Sequence, residues 1–348
     1  GIGISKEQLS EDGEPCILYG ELYTKYKSEI IKQVESKTDI DCSKLKRSKA
    51  NDVIIPCSGE TAVDIATARC VPFDNILLGG DLNIISLHKY DGAFMSYQLN
   101  GKRKYDIARV AQGVSVVHLY GEHLKAIKTY NPSLPEQQKI AKLLSLIDER
   151  IATQNKIIED LKKLKSAIRK KIFSLLKDEY TKSFEINQLL DYEQPTAYIV
   201  ANDEYSTDTR LTPVLTANKG FILGYTDEKN GIYQKGACII FDDFTMDAKY
   251  VSFPFKVKSS AIKILTAKPN VNLRFMFEYL SHWELKSEEH KRHYISEISP
   301  LVIELPSKEK QNIIALLMTS LNNKLTIEEK AKIRYEVQKG YLLSQMFI

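Results

Sequence analysis

Two stretches of the chain carry apolar residues at alternating spacings of three and four, which is the pattern of a long amphipathic helix. In the first stretch, residues 135–177, the two seam positions hold eight apolar residues in ten, namely Leu144, Ile147, Ile151, Gln154, Ile158, Leu161, Lys165, Ile168, Ile172 and Leu175. Neither glycine nor any proline after Pro135 interrupts this stretch. It therefore predicts one unbroken helix whose seam needs a partner.

A second, weaker copy of the seam occupies residues 307–346. Six of its nine positions are apolar, in the series Met318, Leu321, Leu325, Glu328, Lys332, Tyr335, Lys339, Leu342 and Met346. Gly340 is expected to loosen the last turns. Because a single helix of this kind buries its seam only against another element, we expect the two helices to pack on each other. The alternative is that each packs on its own globular domain.

The chain also repeats itself at an offset of 174 residues, half its length. The matching positions are Pro132-Ser133 with Pro306-Ser307, Gln137 with Gln311, and Ile140-Ala141 with Ile314-Ala315. A period this long excludes a solenoid, whose repeats are short. It indicates the duplication of one large unit.

The remaining segments are rich in short β-branched and aromatic runs separated by Gly, Pro and Asn. They predict strands at residues 52–55, 83–87, 114–119, 237–241 and 261–265, and short helices near residues 95–99 and 273–281. Strands and helices do not alternate regularly, which excludes a doubly wound sheet. The predicted fold is α+β, with two domains of mixed α/β structure at residues 1–131 and 178–305. Two long antiparallel coiled-coil helices, at residues 132–177 and 306–348, separate them in a pseudo-two-fold internal repeat.

The first predicted domain is short at its start. If residues 15–20 are aligned with residues 220–225, fewer than twenty residues precede this point in the first domain and more than thirty in the second. The chain also begins without Met. We therefore expect the first domain to lack its opening strand.

Composition narrows the class of protein. A hydrophobic content of 43% and a charged content of 27% describe a soluble globular chain. The net charge of +4 is too small to indicate nucleic-acid binding by itself, and most of it lies in the first long helix. The odd number of cysteines, with no Cys-x-x-Cys pair, argues against disulfides or a zinc site and favours a reducing cytoplasm. No signal peptide or membrane-length apolar run is visible.

Several short motifs, in their order along the chain, are typical of one family. They are residues 3–13 (GISKEQLSEDG), 19–24 (YGELYT), 56–61 (PCSGET), 79–83 (GGDLN), 111–118 (AQGVSVVH), 132–141 (PSLPEQQKIA), 221–226 (FILGYT), 240–245 (IFDDFT) and 255–260 (FKVKSS). With the duplication, they make the chain resemble the specificity subunit of type I restriction-modification enzymes over essentially its whole length. It departs from that pattern in its short first domain and in Asn322-Asn323, which stand where the first helix has Asp148-Glu149.

The resemblance implies a function for each part. Each domain would read one half of a split double-stranded DNA target, and the helices would space the readers and dock two methyltransferase subunits. Restriction subunits with motor activity would join the complex. The chain itself would be non-catalytic and hold no cofactor or metal; adenosylmethionine, ATP and Mg²⁺ would bind the partner subunits. Half-sites read on one face of DNA lie about one helical turn apart.

Polar residues in Gly- and hydroxyl-rich turns are the candidates for reading DNA, because base edges are recognised by side chains of defined hydrogen-bonding geometry. In the first domain they are Tyr19, Glu21, Tyr23, Thr24, Lys25, Ser58, Gly59, Glu60, Thr61, Gly79, Gly80, Asp81, Asn83, Gln112, Gly113 and Ser115. The competing interpretation is that these are ordinary turns at strand ends.

In the second domain the candidates are Thr216, Asn218, Lys219, Tyr225, Thr226, Asp243, Thr245, Lys249, Lys258, Ser259, Ser260, His290, Lys291, Arg292, His293 and Tyr294. The cluster at residues 290–294 is either a DNA contact or a solvated linker before a strand at residues 301–305. The lysine-rich stretch at residues 162–171 is either the wet face of a helix or a contact with phosphates or an acidic partner.

Two enzymatic interpretations and one structural interpretation compete with this hypothesis. The sequence at residues 131–134 is faintly similar to the Asn-Pro-Pro-aromatic motif of amino-methyltransferases, but lacks the second proline and the aromatic residue. Asp242 or Asp243 with Asp247 and Lys249 resembles a Mg²⁺-dependent nuclease set, although the spacing is too tight. No phosphate-binding Gly-x-x-x-x-Gly-Lys loop is present. The third alternative is a helical adaptor that binds protein only.

Overall fold

The structure, a computed structural model, describes residues 3–41, 43–176, 182–216, 220–283 and 293–347. The chain divides into two compact units. The first unit comprises Gly1–Ile157 and Glu328–Ile348, and the second comprises Ile158–Ile327. Within the described ranges, no helix combines the length and apolar character needed to cross a bilayer.

The first unit is built from short strands and helices around buried β-branched residues. Its elements are β1 (Glu14–Ile17), α1 (Glu21–Thr24), β2 (Ser36–Thr38), β3 (Lys46–Arg47), β4 (Asp52–Pro56), β5 (Ser58–Gly59), α2 (Ala62–Ile65), β6 (Arg69–Val71), β7 (Leu77–Leu78), β8 (Leu82–Ile85), α3 (Gly92–Asn100), α4 (Lys104–Val110), β9 (Val117–His118), α5 (Gly121–Lys125) and the start of α6 (Leu134–Leu176). The sheets have the strand orders β2-β1-β7-β3, β6-β4-β8 and β5-β9.

The second unit has the same mixed character. Its elements are β10 (Lys182–Glu185), α7 (Ile186–Leu189), β11 (Leu190–Glu193), β12 (Thr212–Leu215), β13 (Ile222–Thr226), β14 (Cys238–Asp242), β15 (Ala248–Val251), β16 (Lys256–Val257), β17 (Ile262–Ala267), α8 (Leu273–His282), β18 (Val302–Leu305) and the start of α9 (Lys308–Gln345). The sheets have the orders β11-β17-β14-β15, β13-β12-β16 and β10-β18. The predicted α+β class is thereby confirmed.

Both long helices are present, and each unit contains a stretch of both. In the first unit the helices run antiparallel: the Arg150 guanidinium lies 5.6 Å from the Tyr335 ring centroid, and Gln154 Nε2 donates to the Glu328 carbonyl at 3.2 Å. Gln154 and Glu328 are themselves 174 residues apart, so this contact joins a residue to its own counterpart. α9 continues through Gly340 to Gln345, so the predicted loosening there is wrong.

The predicted seam holds along most of α6 and fails at its end. Leu144, Ile147 and Ile158 are buried, but Leu175 is 48% exposed. Phe173 and Leu176 are buried in its place, inside the core of the second unit. The helix follows its natural period of 3.6 residues where it packs on a globular core, so a strict seven-residue repeat drifts off the buried face. The two packing alternatives are therefore both realised, because each helix contacts the other helix and a globular core.

The duplication extends into the sheets with the same strand register. In the first unit Val53 of the central strand β4 lies opposite Cys70 and Ile85. In the second unit Ile239 of the central strand β14 lies opposite Tyr250 and Leu265. β4, β6 and β8 therefore correspond to β14, β15 and β17.

A second pair of sheets corrects the alignment drawn from the sequence. β1 runs parallel to β7, and the Gly79 amide donates to the Ile17 carbonyl at 2.9 Å. β12 runs parallel to β16, and the Lys258 amide donates to the Leu215 carbonyl at 2.9 Å. Residues 14–17 thus correspond to residues 212–215, not to the segment at 220–225, which forms β13. The apolar composition of the two segments is similar, but their place in the sheet differs.

The units differ at one edge. In the second unit β11 pairs with β17, and β10 pairs with β18. In the described part of the first unit, β8 pairs with β4 alone, and residues 128–131, which align with β18, form no strand.

Candidate nucleic-acid interface

Three loops of the first unit come together where their strands end. They follow β1, β4 and β7, and they contain the candidates at residues 19–25, 58–61 and 79–81. The Cys57 amide donates to the Asp81 carbonyl at 2.7 Å, and Ser58 Oγ donates to Asp81 Oδ2 at 3.1 Å. β1 and β7 are parallel neighbours, so the loops that leave them start side by side.

The candidates at residues 112–115 join the same cluster through a hairpin. β9 pairs with β5, which places Val117 opposite Gly59. The Leu119 amide donates to the Cys57 carbonyl at 2.8 Å, and Asn83 Nδ2 donates to the Leu119 carbonyl at 2.9 Å. All four candidate loops of the first unit therefore form one continuous surface.

An open groove of about 950 Å³ runs along part of this surface. The candidates that line it are Tyr19, Glu21, Tyr23, Thr24, Lys25, Glu60, Gly80 and Asp81; residues 3–9, Leu18 and Gly20 complete the lining. The pKa of Tyr23 is raised, mainly because the side chain is partly buried. Neighbouring ionisable groups, including Glu60, raise it further. Its hydroxyl therefore stays protonated at neutral pH and can act as a donor. The lining has more carboxylates than lysines, so it suits donor groups better than phosphates.

Several candidates of the first unit use their polar atoms inside the protein. The Glu21 carboxylate accepts hydrogen bonds from the Leu18 amide and from Lys25. Thr61 is the N-cap of α2, and its hydroxyl accepts the Asp64 amide at 3.1 Å. Ser58 is buried, so its assignment as a DNA contact is wrong. Residues with exposed side chains include Thr24, Glu60, Asp81, Gln112 and Ser115.

The second unit places part of its candidates on the corresponding loops. Thr216 follows β12, Thr245 lies after β14, and residues 258–260 follow β16. Lys258 and Ser259 are exposed; Lys258 Nζ lies 4.0 Å from Asp203 Oδ1. Tyr225 in β13 and Lys249 in β15 lie on strands instead, and both are half-buried.

Four candidates of the second unit are buried, which corrects their assignment as DNA contacts. They are Thr226, Asp243, His293 and Tyr294. Asp243 is 1% exposed, and its carboxylate accepts the His293 and Tyr294 amides and faces Lys263 Nζ at 3.3 Å. Tyr294 packs its ring against Phe241 in the core. The chain at His293 and Tyr294 passes the end of β14, so these two amides find their acceptor in the Asp243 carboxylate.

Five further candidates lie outside the described residues: Asn218, Lys219, His290, Lys291 and Arg292. The lysine-rich stretch of α6 is only partly a solvated face. Arg169 turns inward and donates to the buried Glu278 carboxylate at 2.6 Å, and Lys165 is half-buried near the same group. The interpretation of this acidic cluster as a nuclease site finds no support. Asp242 is buried, and its carboxylate accepts hydrogen bonds from the Phe244 and Thr245 amides.

Sequence reasoning missed two exposed valines in the first unit. The predicted strand at residues 114–119 is formed only at Val117–His118, and residues 113–116 form a hairpin tip. Val114 is 98% exposed and Val116 is 52% exposed. Gly113 could have indicated this hairpin tip, because a glycine beside a strand-like run often marks a turn.

The family described as "Type I restriction modification DNA specificity domain" matches this chain twice, over residues 20–163 and 178–337. The chain belongs to this family. The first match contains β2–β9 and the second contains β10–β18, each together with parts of the long helices.

Curated members of the specificity-domain family share parts of their length with the chain. The "Type I restriction enzyme EcoR124I/EcoR124II specificity subunit" of Escherichia coli is 39% identical over 178 residues, which is 46% of this chain and 43% of that protein. The "Putative type I restriction enzyme MjaX specificity subunit" of Methanocaldococcus jannaschii is 25% identical over 251 residues, 64% of this chain and 58% of that protein. The chain thus matches about half the length of these relatives.

Solved structures agree on the fold. The "Type-I restriction-modification system S subunit from M. genitalium" has a TM-score of 0.68 at 17% identity, covering 100% of this chain and 93% of that one. A chain from a study of "complex assembly and conformational transition of the type I R-M system" has a TM-score of 0.54 at 11% identity, covering 98% and 94%. At such identities the likeness concerns the fold alone.

Proposed function

We propose that the chain is the non-catalytic, DNA-reading specificity subunit of a type I restriction-modification enzyme, and that its two units read the two halves of a bipartite target. The observation that carries this proposal is the convergence of the candidate loops at the strand ends of the first unit, with corresponding loops in the second. Family membership supplies the class of ligand, because the matching domain is named for DNA specificity.

The chemistry of the loops supports reading more than general attraction to DNA. The groove of the first unit is rich in carboxylates and hydroxyls, which recognise amino groups on base edges. The exposed Lys258 beside Ser259 in the second unit suits a phosphate next to a base edge. The candidate loops of the two units also differ in nearly every residue, and we therefore expect an asymmetric target.

The long helices are proposed to space the readers and to dock two methyltransferase subunits, with restriction subunits joining the assembly. Both helices expose large apolar side chains that a protein partner would cover. They include Leu143, Leu146, Leu164, Leu175, Ile313, Leu316, Ile327, Ile333, Val337 and Tyr341. One relative of similar fold comes from a study of complex assembly in such a system.

Catalysis and its cofactors are assigned to the partners. Adenosylmethionine would bind the methyltransferase subunits, and ATP and Mg²⁺ would bind the restriction subunits. The proposed location is the cytoplasm, where the free thiols of Cys16, Cys57, Cys70 and Cys238 would remain reduced.

Reconstitution tests the proposal. The full chain is combined with its methyltransferase subunit, the methylated sites of a host carrying both are sequenced, and a duplex with that site is used in a gel-shift assay. We expect methylation at a split, asymmetric sequence and a shift that needs both proteins. A continuous or palindromic site, or a complex without DNA affinity, would contradict the proposal. Methyl transfer by the purified chain alone would contradict the non-catalytic assignment.

A Leu316→Ser variant tests the docking surface separately. Leu316 is 70% exposed on α9, so the substitution leaves the core intact. We expect weaker retention of methyltransferase on the immobilised chain. The matched control is Leu223→Ser, which changes an exposed leucine on β13.

A further inference from the structure

The hairpin tip at residues 113–116 presents apolar side chains where turns usually carry Gly, Asn, Asp or Ser. Val114 is almost fully exposed, and Val116 is half-exposed. Single exposed valines are common on protein surfaces. This one differs because the fold anchors the base of its hairpin and places it beside the candidate loops.

Three contacts fix the hairpin. At its base the Gln112 amide donates to the His118 carbonyl at 2.9 Å, and the His118 amide donates back at 2.7 Å. Gly113 adopts a φ of +124°, where a Cβ would lie 2.1 Å from the Val116 carbonyl oxygen. Only glycine permits this tight return. Val117, the next residue, is buried in the core of the first unit and anchors the hairpin there.

The hairpin adjoins the proposed reading loops directly, since β9 pairs with β5 at Ser58–Gly59. Its exposed side chains also include Gln112 and Ser115, which are hydrogen-bonding groups of the kind that contact base edges. Val114 is therefore an exposed apolar side chain next to polar side chains that are candidates for DNA contact.

Resting on the proposed function, we propose that Val114 recognises the C5-methyl group of a thymine in the half-site read by the first unit. The methyl group is the apolar feature that the major groove offers, and short apolar side chains contact it. Wedges that unstack base pairs are typically longer, such as Phe, Leu, Ile or Met.

The corresponding segment of the other unit has different chemistry. Among the strands described in the second unit, β14 corresponds to β4, and its loop carries Thr245 in place of an exposed valine. We therefore expect the proposed thymine contact in the half-site read by the first unit.

Deoxyuridine provides the test, because it differs from thymidine only in lacking the methyl group. The full chain with its methyltransferase is bound to the duplex that carries its methylated site, and each thymine of both half-sites is replaced singly by uracil. We expect one position, in one half-site, where uracil weakens binding about fourfold, the effect of leaving one methyl unburied. Val114→Ser should bind the thymine and uracil duplexes equally at that position.

Val302→Ser is the matched control, since Val302 is an exposed valine of β18 outside the candidate loops, and it should keep the fourfold preference. The inference is overturned if no uracil substitution matters, if the half-site lacks thymine, or if Val114→Ser keeps the preference. It is also overturned if Val114→Ser instead releases the methyltransferase, which would make the tip a protein contact. In each case wild-type binding to the split target would leave the proposed function standing, whereas its absence would reject both.

Discussion

Lys339 lies between two buried carboxylates in the first unit. Its Nζ is 2.6 Å from Glu29 Oε2 and 2.7 Å from Asp148 Oδ1, and the Tyr97 hydroxyl donates to Asp148 at 2.6 Å. Burial opposes the charge of Lys339, yet the two carboxylates hold its pKa above the ordinary value. The side chain is therefore a cation at every physiological pH, and it compensates both acids.

Replacing Lys339 by methionine should destabilise the chain by about 3–5 kcal/mol, because two buried carboxylates would lose the cation that contacts both of them. The free energy of unfolding from urea titration measures this. Lys330→Met, at an exposed position of the same helix, should change it by less than about 0.5 kcal/mol. Adding Asp148→Asn to Lys339→Met should recover part of the loss, since Asn322 occupies the corresponding position naturally. Equal stability of Lys339→Met and wild type would refute the compensation.

A second ion pair predicts a dependence on pH. The hydrogen bond from Lys256 Nζ to Glu228, at 2.7 Å, lowers the pKa of the Glu228 carboxyl. Its contribution to stability is therefore complete above the ordinary pKa of about 4.3 and is lost as the pH falls through the lowered value. Glu228→Gln should cost about 1–2 kcal/mol at pH 7. The difference from wild type should shrink progressively in unfolding titrations as the pH falls below about 4.3; a constant difference would exclude the ionic origin.

The errors in predicting the DNA-contacting residues concern the orientation of single side chains. Asp243 follows a predicted strand, as an exposed reading residue would, but Lys263 of β17 faces it across the sheet. The two residues are twenty positions apart, and only strand pairing brings them together. Tyr294 is equally polar by sequence, yet it fills the core beside Phe241. Sequence alone identified the loops because glycine and hydroxyl residues mark turns, but it could not tell which polar side chains turn inward.

At the scale of elements, periodicity predicted the two long helices and the central strands of the sheets. The helical stretches and the strands β4, β14 and β17 were recognisable because each buries a regular set of apolar positions. The hairpin at residues 112–118 was read as a longer strand, since valines favour strands whether or not a partner is present. The continuation of α9 through Gly340 reflects packing of its neighbours, which outweighs the low helix propensity of one glycine.

The start of each long helix is fixed to its unit by the same glutamine clamp. Gln137 Oε1 accepts the Asp91 amide at 2.9 Å, and its Nε2 donates to the Pro132 carbonyl at 2.8 Å. Gln311 accepts the Asn272 amide at 2.9 Å and donates to the Pro306 carbonyl at 2.9 Å. Asp91 and Asn272 are the N-caps of α3 and α8, so each clamp joins two helix starts.

Gln137→Ala and Gln311→Ala should each destabilise the chain by about 1–3 kcal/mol, because each leaves buried backbone groups unsatisfied. Hydrogen exchange should show increased opening at α3 in the first variant and at α8 in the second. Gln138→Ala, an exposed neighbour, serves as the control. Opening at the wrong helix, or no change in exchange, would count against the clamp.

At the scale of the whole molecule, each unit should govern only its own half of the target. Gln112→Ala in the first unit should relax the base requirement in one half-site, and Ser259→Ala in the second unit should relax it in the other. Loss of one base contact costs about 1–3 kcal/mol of discrimination. Sequencing of methylated sites in hosts carrying each variant measures this, with the exposed Ser252→Ala as control. Relaxation of both halves by one variant would contradict independent reading.

The common strand register of the two units has a consequence for how such proteins diversify. Gene conversion between the halves can copy a loop from one scaffold to the other without disturbing the strands beneath it. A homodimer of a single unit would be confined to palindromes, because both copies change together. If the two copies are joined in one polypeptide, each unit can change its sequence separately. The number of possible DNA targets is then the product of the numbers of half-sites available to the two units.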